Sequence, residues 1–75
     1  MRVGGRVESF EGPRGFGFLR RDGNGRRYFF HLDECDDLEE SLPTVGEYLE
    51  FDSARDWTGR RYVAGAIRRP HPVRS

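Results

Sequence analysis

Two aromatic segments flank a short turn sequence, and this arrangement restricts the fold more than any other feature of the chain. The turn reads Asp22-Gly23-Asn24-Gly25, and Gly and Asn tolerate the positive φ angles that tight hairpin turns need. Before the turn, residues 14–19 alternate phenylalanine with glycine, which is the two-residue period of a strand. After it, residues 26–32 form a second, β-prone aromatic segment. The sequence therefore predicts an antiparallel β-hairpin.

The turn also predicts which residues face each other across the hairpin. One face carries four ring-bearing side chains, namely Phe16 opposite His31 and Phe18 opposite Phe29. On the other face Leu19 meets Tyr28, and Gly17 leaves room for the large ring of Phe30. We expect the face with Leu19 and Phe30 to belong to the core, and the four-ring face to point outward.

The rest of the chain predicts three further strands, at residues 6–10, 47–55 and 60–69. Between the hairpin and the fourth strand, apolar residues within 33–41 recur at roughly helical spacing, which predicts one or two short turns that Pro43 ends. Five short strands at this spacing predict an all-β protein that closes into a small barrel.

The length of the chain limits what it can bury. With 75 residues it has room for one small domain, which excludes a two-domain enzyme. A domain of this size hides only about 60% of the surface of its unfolded chain, so an exposed group of aromatic rings needs a functional explanation. We assign residues 1–69 to the domain and residues 70–75 to a short C-terminal tail.

Charges are segregated along the chain although 13 basic residues balance 13 acidic ones. Residues 1–32 carry seven Arg and three acids, residues 33–56 carry one Arg and ten acids, and residues 57–75 carry five Arg and no acid. Every basic residue is Arg, whose planar guanidinium binds phosphate and stacks on bases. The pattern fits either a solvated surface or a basic face, formed by both ends of the chain, that meets a polyanion.

The sequence lacks the residues on which several classes of function depend. Cys35 is the only cysteine, which excludes an intramolecular disulfide, favours a reducing compartment and leaves the chain without the four spaced ligands of a zinc site. No catalytic triad, phosphate loop or lysine for a Schiff base is evident. No apolar segment is long enough for a signal peptide or a membrane span. We expect a cytoplasmic, non-enzymatic protein without metal, cofactor, small-molecule substrate or membrane partner.

The two strands of the hairpin resemble the paired ribonucleoprotein motifs of the cold-shock domain. Gly15-Phe16-Gly17-Phe18-Leu19, which follows the basic Arg14, resembles the first motif, and Tyr28-Phe29-Phe30-His31-Leu32 resembles the second. The resemblance extends over about residues 3–69. It implies a five-stranded antiparallel barrel of the OB type that binds single-stranded RNA or DNA with modest sequence preference. It also implies a role as a nucleic-acid chaperone or as a regulator in a cold-shock-like response.

Carried over residue by residue, the resemblance implies a site of seven residues. Bases would stack on Phe10, Phe16, Phe18, Phe29 and His31, and phosphates would meet Arg14 and Arg60. The outward face predicted from the hairpin already contains four of the five stacking residues. The alternatives are that the phenylalanines belong to the core or to a patch covered by a partner protein, and that His31 is structural or merely solvated. The expected state is a monomer, with a strand-swapped dimer as the alternative.

Three departures from the family pattern weaken the expected binding. Glu8-Ser9-Phe10 stands where the family usually has Lys-Trp-Phe, which removes a cation and a stacking ring and adds an anion. Leu32 stands where another phenylalanine is common, and Ala66 replaces a frequent Asn. Loss of one stacking site costs about 1–3 kcal/mol. The rival interpretation is therefore a cold-shock-like barrel with an eroded nucleic-acid site that acts as a protein-interaction module.

Overall fold

The computed structural model describes residues 2–35 and 42–70. Five strands form a closed barrel: β1 (Arg2–Glu11), β2 (Phe16–Arg21), β3 (Arg27–His31), β4 (Tyr48–Arg55) and β5 (Tyr62–Arg68). Short 3₁₀ turns, Gly12–Arg14 and Leu32–Glu34, follow β1 and β3. The order around the barrel is β1-β2-β3-β5-β4, and β1 also pairs with β4. The predicted all-β barrel of five strands is confirmed.

The barrel is mixed rather than purely antiparallel. β3 and β5 run parallel and are paired at Phe29 and Val63, whereas the other neighbouring strands are antiparallel. Strand direction cannot alternate all the way around a ring with an odd number of strands. A closed barrel of five strands therefore needs a parallel contact, and this one closes where β3 meets β5.

The largest differences from the predicted strand bounds are at the starts of β1 and β5. β1 begins at Arg2 because its first residues pair with β4, from Arg2 opposite Asp52 to Arg6 opposite Tyr48. β5 begins at Tyr62, so residues 56–61 form the loop between β4 and β5. Of the helical turns predicted over residues 33–41, the structure describes the turn Leu32–Glu34, and residues 36–41 lie outside the described residues. Residues 71–75 of the predicted tail do so as well, and the domain bounds stay a prediction.

In the part of the chain that the structure describes, the hydrophobic core contains eight buried side chains: Val7, Leu19, Tyr28, Phe30, Leu49, Phe51, Ala64 and Ile67. Its largest member, Tyr28, packs edge-on against Phe51 with 5.1 Å between ring centroids. The Tyr28 hydroxyl is satisfied by Ser53, whose Oγ lies 2.9 Å away. Burial of this phenol therefore leaves no polar atom unpaired at the centre of the barrel.

The hairpin has the predicted register. Gly17 pairs with Phe30 and Leu19 with Tyr28 on the core side of the sheet. A Cβ on Gly17 would lie 2.9 Å from Cε1 of Phe30 and closer still to the carbonyl oxygen of Ser9 on β1. The missing side chain therefore allows β1 to approach β2 closely and admits the Phe30 ring to the core.

Candidate nucleic-acid interface

Four side chains of the hairpin form an aromatic surface on the outside of the barrel: Phe16, Phe18, Phe29 and His31, here called the aromatic platform. The Phe29 ring lies at its centre, with its centroid 5.7 Å from the centroids of both Phe16 and Phe18. His31 pairs with Phe16 across the two strands and is exposed. The three phenylalanine rings are half-buried, so each is held by its neighbours and keeps an accessible face. The platform is a fixed surface of ring faces.

Local structure at one end of the platform holds the two strands together. Gly15 has a left-handed φ of 74° and ends the 3₁₀ turn that precedes β2. Its carbonyl oxygen accepts a hydrogen bond from the backbone N–H of Leu32 at 2.8 Å, just beyond the end of β3. A non-glycine residue is strained at this φ, so glycine here lets the chain enter β2 with Phe16 outward. The Phe-Gly alternation then repeats the outward direction at Phe18.

Two arginines lie over the rings of the platform. The guanidinium carbon of Arg27 is 4.3 Å from the centroid of Phe18, and that of Arg61 is 5.0 Å from the centroid of Phe29. Both distances are in the range of cation–π interactions. Sequence reasoning missed both residues. The Arg27 contact follows from the hairpin register, because Arg27 precedes Phe29 by two residues and shares its face.

The two arginines predicted to meet phosphates lie at the ends of the barrel. Arg14 is exposed in the 3₁₀ turn Gly12–Arg14, with its Nε 4.0 Å from a carboxylate oxygen of Glu11. Arg60 is exposed in the loop of residues 56–61, where its backbone N–H donates to the hydroxyl of Thr58 at 3.2 Å. Within the described residues neither guanidinium lies over a ring, in contrast to Arg61. Their role in phosphate contact stays a prediction.

Phe10 is on the core side of β1, where its ring stacks parallel to that of Phe30 with 6.0 Å between centroids. A bulge causes this. The pairing shifts between Val7 and Ser9, so Ser9 lies opposite Phe18 and Phe10 lies opposite the inward-facing Gly17. Strict alternation along residues 6–10 would place Phe10 on the side of Glu8, but the one extra residue reverses the alternation. The role of Phe10 in base stacking stays a prediction.

Glu8, the anion that departs from the family pattern, is held between two arginines. Its two carboxylate oxygens accept hydrogen bonds from Arg20 at 3.1 Å and from Arg27 at 3.0 Å. These bonds, that from Arg20 foremost, hold the pKa of the Glu8 carboxyl below its ordinary value. The carboxylate therefore stays ionised at neutral pH and is paired with Arg20 and Arg27, which reduces the positive charge that these arginines present beside the platform.

A cleft of about 400 Å³ lies next to the platform, between β3 and β5. Its lining consists of Phe29, Phe30, His31, Glu34, Ala54, Val63, Ala64 and Gly65. Phe29 and His31 also belong to the platform, so the two surfaces are continuous.

In the part of the chain that the structure covers, no group of three or more His, Cys, Asp or Glu side chains is placed to hold a metal ion. Across residues 2–35 and 42–70, no helix has the length and apolar character needed to cross a membrane.

Comparison with known proteins supports the fold assignment. No protein-family model matches the sequence, and no curated protein matches it either. Among solved structures, the chain matches drosophila Unr CSD456 with a TM-score of 0.77 and 29% sequence identity over 96% of its length. The chain spans 28% of the length of that protein chain. The barrel has the fold of a cold-shock domain.

Proposed function

We propose that this chain is a member of the cold-shock domain family that binds single-stranded RNA or DNA without catalysis. The observation that carries the proposal is the aromatic platform, in which the rings of Phe16 and Phe18 each lie 5.7 Å from that of Phe29 on the outside of the barrel. A domain this small has few apolar side chains to spare, so an outward cluster of rings needs a ligand with flat apolar faces. Unpaired bases have such faces, whereas paired bases hide them in a duplex.

The energetics of stacking are sufficient for measurable binding. Each stacked base contributes about 1–3 kcal/mol, so three bases approach the roughly 8 kcal/mol of a micromolar complex. Arg27 and Arg61 lie over platform rings and add positive charge along the path of the backbone. Stacking of this kind does not read base edges, so the expected function is that of a chaperone or regulator with broad sequence tolerance. We place it in the cytoplasm as a monomer.

Titration of a labelled seven-nucleotide oligothymidine, followed by fluorescence anisotropy, tests the proposal. We expect saturable binding at micromolar or lower concentration, which weakens between low salt and about 0.2 M salt with a slope near 0.7 per phosphate contacted. Absence of binding at low salt and high protein concentration would show that the changes at Glu8, Ser9 and Leu32 have removed the site. The rival function, contact of the platform with a protein, predicts an interaction that barely responds to salt.

A further inference from the structure

The cleft between β3 and β5 results from the way the barrel closes. The two strands are bridged at Phe29 and Val63. Further along the chain, Cys35 forms a second bridge to β5 at Ile67. Between the bridges the β3 side contains the 3₁₀ turn Leu32–Glu34, so the two chains separate there. The volume of about 400 Å³ is in the lower part of the range for small-ligand sites. It suits a single flat group.

The walls of the cleft are mainly apolar and are continuous with the platform. Phe29 and His31 line both surfaces, and Ala54 and Val63 line the cleft from β4 and β5. Gly65 contributes no side chain, which keeps the cleft open on the β5 side. A strand of bases that stacks on the platform can therefore continue into the cleft along Phe29 and His31, which belong to both surfaces. The neighbouring base of such a strand is the natural occupant.

Among the described residues, one carboxylate, that of Glu34, lines the cleft. Its Oε1 accepts a hydrogen bond from the backbone N–H of Ala66 at 3.4 Å and lies 3.3 Å from the position of a Cβ on Gly65. Glu8, Glu11 and Glu47 are each paired with arginine, whereas Glu34 has no arginine partner within the described residues. Its second oxygen, Oε2, has no hydrogen-bond donor there either. The cleft therefore offers acceptors to a ligand.

We propose that this cleft binds a guanine base and that Glu34 selects it; the inference rests on the proposed function. A carboxylate only accepts hydrogen bonds. Among the unmodified, neutral bases, guanine alone has two adjacent donors, N1–H and N2–H, on its Watson–Crick edge, and these match the two oxygens of a carboxylate. Negative charge at Glu34 also disfavours a phosphate in the cleft, so the base enters and the backbone stays outside. The chain would thus prefer single strands that place guanine beside the bases stacked on the platform.

Heptanucleotides that differ at one base test the proposal by anisotropy competition against labelled oligothymidine. We expect a heptamer with guanine at its central position to bind about tenfold more tightly than oligothymidine, as for a bidentate base contact. Hypoxanthine at the same position lacks only the N2 amino group, and its heptamer is expected to bind with intermediate affinity. In Glu34→Gln, one acceptor oxygen becomes a donor, and the guanine preference is expected to disappear while oligothymidine binding is kept.

Glu50→Gln is the matched control, because it removes the same charge on β4 from a residue that does not line the cleft. It is expected to keep the guanine preference. Equal binding of guanine and thymine heptamers to the parent, or a preference that survives Glu34→Gln, would overturn the guanine site and leave the proposed function standing. Failure of all heptamers to bind would overturn both. Displacement of the bound guanine heptamer by N-acetylarginine amide but not by guanosine would assign the cleft to an arginine of a protein partner.

Discussion

The guanidinium of Arg61 lies over the ring of Phe29, with 5.0 Å between its central carbon and the ring centroid. Arg61 belongs to the loop before β5, and Phe29 is the residue at which β3 pairs with β5. The parallel closure of the barrel thus brings a cation from the last loop onto the central ring of the platform. We expect a base that reaches this part of the platform to stack on the guanidinium as well as on the ring faces, which makes Arg61 part of the binding surface.

Arg61→Gln is expected to weaken binding to oligothymidine more than Arg60→Gln does, so that the affinities of the two variants differ by about threefold. Both variants remove one positive charge from the same loop, so both are expected to lower the salt slope by about 0.7 if each arginine meets one phosphate. Only Arg61→Gln also removes a cation–π contact with the platform. Anisotropy titrations at several salt concentrations separate these two effects. Equal losses of affinity would show that the Arg61 contact with Phe29 plays no part in binding.

Phe16→Ala and Phe29→Ala are each expected to lower the affinity for oligothymidine at least about tenfold, because each removes a stacking ring. The fold is expected to remain, since neither side chain is among the buried core residues. Circular dichroism checks the fold, and anisotropy measures the affinity. Trp57→Ala is the control for loss of an aromatic residue: Trp57 is 95% exposed in the loop of residues 56–61 and is expected to contribute little. Parent-like binding by both phenylalanine variants would contradict stacking on the platform.

Glu8→Gln is expected to bind oligothymidine several-fold more tightly than the parent. Arg20 and Arg27 donate to the Glu8 carboxylate, and its neutralisation leaves both guanidinium groups with undiminished charge beside the platform. The salt slope is expected to steepen as these arginines meet phosphates. Glu50→Gln on β4 is the matched control for removal of one negative charge, because none of the ion pairs among the described residues joins Glu50 to an arginine. A Glu8→Gln affinity no higher than that of the control would show that Glu8 does not restrain these arginines.

Much of the platform was predictable because a hairpin turn and a two-residue period determine a register. Phe16, Phe18, Phe29 and His31 appear on the predicted face for this reason, and Gly17 appears opposite Phe30. The structure also closes into the predicted number of strands. These features depend on local sequence, where turn residues and alternation act over a few positions.

Features that depend on distant contacts or on one added residue were not predictable. The residue types around Glu8 do not indicate the bulge in β1, yet the bulge places Phe10 against the ring of Phe30 instead of on the outer surface. Likewise, sequence alone does not distinguish Arg60 from Arg61, because their directions depend on the conformation of the loop and on the parallel contact with β3. The Glu34 carboxylate reaches the cleft only through the same closure.

The stability of the barrel is expected to fall in acid partly through Glu47. Its carboxylate precedes β4 and is ion-paired with Arg69 beyond β5, and it also accepts hydrogen bonds from Thr44. The hydrogen bond from Arg69 is the main cause that lowers the pKa of Glu47 below its ordinary value of 4.5. Because the folded-state pKa is lowered, the contribution to stability is complete above the unfolded-state pKa and is lost as the pH falls through the folded-state value.

Urea unfolding of the parent and of Glu47→Gln at about pH 7 and about pH 3 measures this contribution. We expect the variant to be less stable than the parent near neutrality, and we expect the difference to shrink in acid. Glu11→Gln is the control, because Glu11 is exposed and 4.0 Å from its arginine, and its stability is expected to follow that of the parent. A difference between parent and Glu47→Gln that is the same at both pH values would contradict a role for ionised Glu47.

Ala66→Gly is expected to stabilise the barrel by about 0.5–1 kcal/mol. Glycine removes the steric strain of an alanine in the left-handed conformation, and this gain exceeds the larger conformational entropy that glycine loses on folding. Ala66 has a φ of 48°, at a bulge where the pairing of β4 with β5 shifts, and its carbonyl oxygen accepts a hydrogen bond from Arg2 at 2.7 Å. Ala64→Gly is the matched control two residues earlier, at a buried position of ordinary φ, and there the same change is expected to destabilise. Urea unfolding of both variants measures the free energies. Destabilisation by Ala66→Gly as large as that by Ala64→Gly would show that the left-handed alanine carries no strain.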